Sequence, residues 1–297
     1  MAQAERLEVP RGEAGLRLDR FLARELALPL AAARRLVSDG RVRIRGRRCA
    51  PNRRLFGGEE VEVARPPPRA ERPSGPALEV LYDDRDCLVV AKPPALPVEP
   101  GRPGAPSVLS AASRLGRFDV AGRAVPGWPH RLDKDTSGCL LLARHDRALA
   151  ALRRAFAEGE VAKIYLSLVL GSPAAEGHLD TPYGRDPSSP RRFTTRVASP
   201  RRARLSYRVL ERFSGAALLQ VRLLTGRTHQ IRVQLAEAGL PILGDAIYGV
   251  ASAAIGRQAL HAARLAFRAP CGERVKVEAP IPGDLAEALA RFRGAPR

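Results

Sequence analysis

The sequence predicts an α+β chain of two unequal domains: a small α/β unit at the N-terminus, then a large domain of strands flanked by a few helices. Three observations carry this. Residues 66–77 are rich in proline and in charged and small residues, which makes a stiff linker without a core of its own. Before it, two helical apolar repeats precede two strand-like alternations. After it, six apolar runs of strand length are interrupted by only three stretches of helical periodicity. The domains are therefore drawn at 1–65 and 78–297.

In the small domain, Leu18, Phe21, Leu22 and Leu26 recur at helical spacing, and Leu30, Ala33, Leu36 and Val37 mark a second short helix stopped by Gly40. Arg41 to Arg45 alternates strictly, as a half-exposed strand does, with Gly46 turning the chain. Leu55 to Val63 supplies a turn and another strand.

In the large domain, Leu78–Tyr82 and Cys87–Ala91 read as two strands around the turn Asp83 to Asp86. Residues 101–129 carry only one short apolar patch, Val108 to Leu115. Cys139–Ala143 is a continuous apolar run, the mark of a buried strand. Leu149, Leu152 and Phe156 put one apolar face on a helix from Asp146 to Glu158, with Gly159 as its stop. Strands follow at Lys163–Leu170, Ala203–Leu210 and Ala216–Leu224. Thr228 is placed as the N-cap of a helix carrying Ile231 and Leu235, with His229 and Arg232 on one side of its first turn. Asp284 opens a last helix with Leu285, Leu289 and Phe292.

Composition narrows the function. No run of about 18 apolar residues exists to span a membrane, and the first residues lack the apolar segment of a secretory signal, so a cytoplasmic location is expected. The four cysteines are scattered with no C-x-x-C pair, and the five histidines are spread out, so neither disulfides nor a metal site is expected. The net charge is +19, almost all of it arginine. Such a charge fits a polyanion, although a GC-rich codon bias raises arginine and alanine together, so clustering carries more weight. Nine arginines against one acid lie between Arg34 and Arg54, and eight against one between Arg185 and Arg208. The second cluster, broken by Pro187 and Pro190, reads as a mobile, solvated arm.

The densest chemistry sits in His130-Arg-Leu-Asp-Lys-Asp-Thr-Ser-Gly138, five ionisable side chains and two hydroxyls in nine residues, directly before the apolar run. Spacing alone describes an ordinary charged turn. The nine residues, however, resemble without mismatch the HRLDxxTSG signature of the RluA-type RNA pseudouridine synthases. Lys163-Ile-Tyr165 is similar to that family's K-x-Y motif, and Thr225-Gly-Arg-Thr-His-Gln-Ile-Arg232 with Gly244-Asp245 and Tyr248-Gly249 to its third motif. Lys92-Pro93 also matches, whereas Glu99-Pro100 stands where many relatives carry His-Pro. Residues 15–65 resemble the S-four RNA-binding module, from which Pro29 and the Ala31–Ala33 run depart.

The resemblance implies a pseudouridine synthase fold with a large mixed, mainly antiparallel sheet. It implies isomerisation of uridine to pseudouridine in RNA, most of all large-subunit ribosomal RNA, by a monomer without metal or cofactor. Asp133 would be the essential carboxylate, Arg232 its partner, and Tyr165 the aromatic against the target base. RNA contacts would come from Arg131 and Arg227, and from Arg34, Arg35, Arg41 and Arg43 in the small domain. Two rivals are a hydrolytic nuclease using His130, Asp133, Asp135 and His229, which lack a compact metal-ligand pattern, and an RNA-binding assembly factor with an idle site.

Overall fold

The computed structural model describes residues 5–26, 28–64, 75–102 and 104–294, so most of the proline-rich linker (66–74) lies outside the described residues. In the N-terminal unit, strand β1 (Glu5–Glu8) is followed by helices α1 (Leu18–Glu25) and α2 (Leu30–Ser38) and by strands β2 (Val42–Ile44), β3 (Arg47–Arg48) and β4 (Glu60–Val63). The sheet runs β1-β4-β2-β3. Leu18, Phe21 and Leu22 of α1 and Val37 of α2 pack on Val42, Ile44, Val61 and Val63. The alternation read between Arg41 and Arg45 is real: Val42 and Ile44 are buried and Arg43 is exposed. Arg45 and Gly46 both take positive φ (51° and 72°), turning β2 into β3.

The large domain contains β5 (Glu79–Asp83), β6 (Cys87–Lys92), α3 (Val108–Ala112), β7 (Ser137–Ala143), α4 (Asp146–Glu158), β8 (Ala162–Leu170), β9 (Glu176–Pro182), β10 (Gly184–Asp186) and β11 (Ser189–Thr194). It continues with β12 (Arg202–Phe213), β13 (Ala216–Leu223), α5 (Gln230–Glu237), β14 (Leu260–Arg268), β15 (Arg274–Glu278) and α6 (Gly283–Gly294). Among the described residues, nine strands form one sheet in the order β5-β6-β7-β14-β8-β13-β12-β9, with β15 paired to β14. Only β7 and β14 run parallel; the other pairings are antiparallel, so the sheet is mixed and mainly antiparallel as expected.

Strands β6 and β7 read as unbroken apolar runs because both of their faces are covered. Val90, Leu140 and Leu142 join one core with Ile231 and Leu235 of α5 and Leu285 and Leu289 of α6. Val89, Cys139 and Leu141 join another with Leu149 and Leu152 of α4. Helix α4 has the predicted bounds; His145 Nδ1 accepts from the Ala148 amide at its start, and Gly159 ends it at φ 78°.

Two expectations are corrected. The second arginine cluster is solvated as expected, its Arg185, Arg192, Arg196, Arg201 and Arg202 exposed, but it is not an irregular arm: β10 and β11 form a hairpin, and the rest leads into the long strand β12. The hairpin is tied down by Tyr183 stacking on Phe193 at 5.7 Å, and by Thr194 Oγ1, which donates to Glu237 of α5 at 2.6 Å. Nor does Thr228 cap α5. The N-cap is His229, in the left-handed region at φ 59°, without a side-chain cap bond. Gln230 meets the loop instead, its Oε1 accepting from the Arg227 amide at 3.0 Å and from Thr225 Oγ1 at 2.7 Å.

Where β7 begins beside β14, Gly138 takes φ +116°, and a Cβ there would lie 2.2 Å from the Ala262 carbonyl oxygen. The nine-residue signature therefore ends in glycine because no side chain fits between two parallel strands. Gly138→Ala is expected to lower unfolding free energy by at least about 2–3 kcal/mol, combining a disfavoured φ with a backbone clash. Urea unfolding of the variant beside the parent checks this; equal midpoints would refute it.

Candidate active site

The signature turn is held nearly residue by residue. Lys92 Nζ donates to the Lys134 carbonyl at 2.7 Å and also to the carbonyls of Pro93 and Leu96 at 2.7 Å. Arg257 Nη1 donates to the Asp135 carbonyl at 2.9 Å, and its fork is fixed by Asp284 at 2.6 and 2.9 Å. Gln258 Nε2 reaches Thr136 Oγ1 at 3.3 Å, and the Ser137 hydroxyl lies 3.0 Å from His261 Nδ1. The turn itself closes through the Thr136 amide on the Asp133 carbonyl, 3.1 Å. A polar loop so restrained presents its side chains in fixed directions, among them the carboxylate that faces Arg232.

That carboxylate is Asp133, and Arg232 meets it: Nη1 donates to Oδ2 at 3.0 Å. The other edge of the same guanidinium is taken by Asp245, Nε to Oδ2 at 2.6 Å and Nη2 to Oδ1 at 2.8 Å. Asp245 is 1% exposed. Burial pushes its pKa up, but the two bonds and charge of Arg232, with the amides of Ile247 and Tyr248, outweigh that and hold it below the ordinary value. Burial works against the Arg232 charge too, yet the two carboxylates raise its pKa. Gly244 sets Asp245 in place: at φ +75° the chain runs so close to the Arg257 carbonyl oxygen that a Cβ would lie 2.1 Å from it.

Asp133 Oδ1 has no hydrogen bond among the described residues; the His229 Nε2 atom is nearest in charge, at 3.8 Å. His229 Nδ1 lies 3.1 Å from the Tyr248 hydroxyl, and that hydroxyl accepts from the Phe193 amide at 3.0 Å. Tyr165, 7% exposed, lines the same cleft from β8. Burial, then the charge of Asp133, push its phenol above the usual range, so it keeps its proton. His130 is no free base: its Nε2 accepts from the Leu141 amide at 3.0 Å, its ring stacks on Phe156 at 4.6 Å, and desolvation with the charge of Lys163 lowers its pKa to about 3.

These groups line one cleft of about 680 Å³, wide enough for a nucleotide. Its walls carry Arg131, Arg153, Lys163, Arg204, Arg227 and Arg232 against the acids Asp133 and Glu158, an imbalance that favours a polyanion. Arg131 is exposed, 3.9 Å from Glu99. Arg227 rests Nε on the Arg202 carbonyl at 3.3 Å.

The sequence thus brings Asp133, Arg232, Tyr165, Arg131 and Arg227 into one place. Residues 86–237 match the RNA pseudouridylate synthase family, and residues 16–61 match the S4 domain. The chain belongs to the RNA pseudouridylate synthase family. It is 38% identical over 293 residues to an uncharacterized RNA pseudouridine synthase of Chloroflexus aurantiacus, covering 96% of this chain and 92% of that one. It is 34% identical over 311 residues to ribosomal large subunit pseudouridine synthase D of Nitrosomonas europaea, covering 98% and 88%. Among solved structures it is similar to human RNA pseudouridylate synthase domain containing 1, with a TM-score of 0.59 at 25% identity over 75% of this chain and 98% of that one. Members of this pseudouridylate synthase family are isomerases that act on RNA, and this chain is one of them.

The four small-domain arginines are apart from the cleft lining. Arg34 Nε is drawn to buried Asp19 at 2.8 Å, Arg35 is largely exposed 3.9 Å from Asp39, Arg41 is half-buried, and Arg43 Nη1 returns to the Gly46 carbonyl at 3.0 Å. The roles of Asp245, Lys92 and Arg257 were not read from the sequence. One signal existed: the chain has four lysines among fifty basic residues, and two of the four, Lys92 and Lys163, are buried at this site.

Arg232→Ala would leave two carboxylates facing each other without their cation, and is expected to destabilise by roughly 3–5 kcal/mol; an unchanged urea midpoint would refute the triad. A pH effect also follows. His130 binds its proton at about 3 when folded against 6.5 ordinarily, so between those values the unfolded chain holds more protons. Stability is complete above about 6.5 and falls as pH is lowered towards 3; burial shifts His229 and His261 in the same direction. Melting temperature against pH should show a shallower acid-side loss in His130→Gln than in the parent.

Proposed function

We propose that this chain is a monomeric, cytoplasmic enzyme that isomerises specific uridines of large-subunit ribosomal RNA, with Asp133 as its essential catalytic residue. The observation that carries this reading is the divided Asp133 carboxylate: Oδ2 is fixed by Arg232 while Oδ1 faces the cleft without a hydrogen bond among the described residues. The relatives named as ribosomal large subunit synthases over nearly the whole chain support the choice of RNA.

The reaction breaks the bond between the sugar C1′ and uracil N1 and forms one between C1′ and C5; the C5 hydrogen is lost and N1 ends protonated, so no net oxidation occurs. A uracil inside a helix cannot reach Asp133, so the nucleotide is turned out of the stack at a cost of a few kcal/mol. Arg131, exposed at the mouth, takes up the space the base leaves. Tyr165 supplies a face on which the uracil stacks. Oδ1 of Asp133 then acts on the sugar–uracil unit as nucleophile or base, while the Asp245-held Arg232 keeps its direction. Arg227, and Arg34, Arg35, Arg41 and Arg43 of the S4 domain, contact phosphates away from the reacting base.

Mapping pseudouridines in ribosomal RNA from cells with and without this gene tests the reading directly: loss at defined large-subunit positions is expected, and an unchanged map refutes it. Asp133→Asn should abolish product formation while leaving RNA affinity within about threefold, because the charge removed is not a phosphate contact. Turnover retained in that variant would exclude Asp133. Affinity should also fall steeply between 50 and 200 mM salt, on the order of a hundredfold or more, as phosphate contacts release counterions.

A further inference from the structure

The cleft holds a cation that the reading above leaves unused. Lys163 is 7% exposed, yet its ammonium has no carboxylate partner among the described residues. The Phe156 ring lies beside it, 5.6 Å from the ammonium to the centroid. The other cations of the cleft differ: Arg232 is occupied by two carboxylates, Arg131 leans towards Glu99, Arg227 rests on a carbonyl, and Arg153 and Arg204 are exposed to water. Glu158 lines the same end of the cleft but makes no ion pair with Lys163. Burial lowers the Lys163 pKa, and no neighbouring carboxylate opposes the shift. The stem of Lys163 is buried while its ammonium opens on the cleft, where no carboxylate among the described residues meets it, so an anion entering there finds an unneutralised cation.

The position of Lys163 says which anion. It stands two residues before Tyr165 on β8, with both side chains on the buried, cleft-lining face. At about 3.3 Å per residue the two are roughly 6.6 Å apart along the strand. A base stacked on Tyr165 brings its flanking phosphates into this cleft, and the ammonium beside Phe156 of α4 is the cation carried by the same strand. We infer that Lys163 is a further RNA-binding residue, forming an anion subsite for the phosphodiester that flanks the everted uridine. Phe156 positions the ammonium from one side, and the base on Tyr165 fixes the register of the strand. This inference rests on the reading of the cleft as a uridine site, but it can fail independently.

The experiment uses the full chain and a stem–loop RNA carrying a uridine that the mapping above identifies as its product site. Product formation by the parent on this RNA is the control; if the parent makes none, the functional reading fails, not the subsite. Three RNAs are compared: all-phosphate, and single neutral methylphosphonates on the 5′ or the 3′ side of the target uridine. Lys163→Met is expected to bind the all-phosphate RNA about tenfold more weakly, with the log–log salt slope reduced by roughly 0.7–0.9. One of the two methylphosphonates should weaken the parent by a similar factor and leave Lys163→Met unaffected. Equal affinity and salt slope in a folded Lys163→Met protein, or losses that simply add in the double change, would overturn the subsite. A measurement on the parent alone guards against misfolding of the variant. With four lysines in the chain, 15N-lysine side-chain spectra are simple, and the Lys163 ammonium signal should move with all-phosphate RNA but not with the critical methylphosphonate. A signal indifferent to both RNAs overturns the assignment.

Discussion

The guanidinium of Arg232 carries two carboxylates, and three separate segments of chain converge to make that arrangement. Asp245 takes Nε and Nη2 together, the fork geometry that fixes the plane of an arginine. With the plane fixed, Nη1 has one direction left, and the Asp133 carboxylate lies along it at 3.0 Å. Asp133 alone, held through Nη1 only, would leave the guanidinium free to rotate about its stem. Two carboxylates alone, in a site where Arg232 is 5% exposed, would repel each other with little water to screen them. The triad is stable only as a whole, with one carboxylate buried as the anchor and one partly open as the reacting group.

This division of labour depends on a backbone that cannot shift. The signature turn gains its rigidity from side chains that bind its carbonyls and hydroxyls: Lys92 from β6, Arg257 and Gln258 from the stretch before β14, and His261 from β14 itself. Gly138 then lets β7 leave the turn directly alongside β14. The one parallel pairing in the sheet thus sits at the root of the site. It joins the segment bearing Asp133 to the segment whose arginine, Arg257, is anchored by Asp284 at the start of α6.

Much of this was legible in the residues. Strands covered on both faces announce themselves as unbroken apolar runs, which is why β6 and β7 were found, and α4 carried its stop in Gly159. Strand β9 was not found, because its exposed positions are charged or polar and its inward ones are half-buried; β15 was not found although it alternates cleanly, because two buried valines between three exposed charges make a short signal. Helix α5 was found, but with its start misplaced: Thr228 has the chemistry of a cap, while the chain puts His229 there in a conformation that sequence does not announce. The meeting of Asp133 with Arg232 came from motif resemblance, since no periodicity links residues so far apart. The anchoring of Arg232 by Asp245 needed coordinates, because a Gly-Asp pair in a loop has the same appearance whether its carboxylate faces solvent or a buried guanidinium.

The lysines show why one basic residue cannot replace another here. In a chain that uses arginine almost everywhere, Lys92 donates to three carbonyl oxygens from one nitrogen, an arrangement that three protons on an ammonium satisfy and a planar guanidinium does not. All three bonds require the charged form, although burial lowers its pKa to about 7. Arginine is used where a fork must face a carboxylate, at Arg232 and Arg257; lysine is used where a compact point charge is carried on a buried stem, at Lys92 and Lys163. In the first pair the protein supplies the anion. For Lys92 it supplies backbone dipoles, and Lys163 alone is left with an aromatic face and no anion, which is the electrostatic state a cleft would have before a phosphodiester arrives.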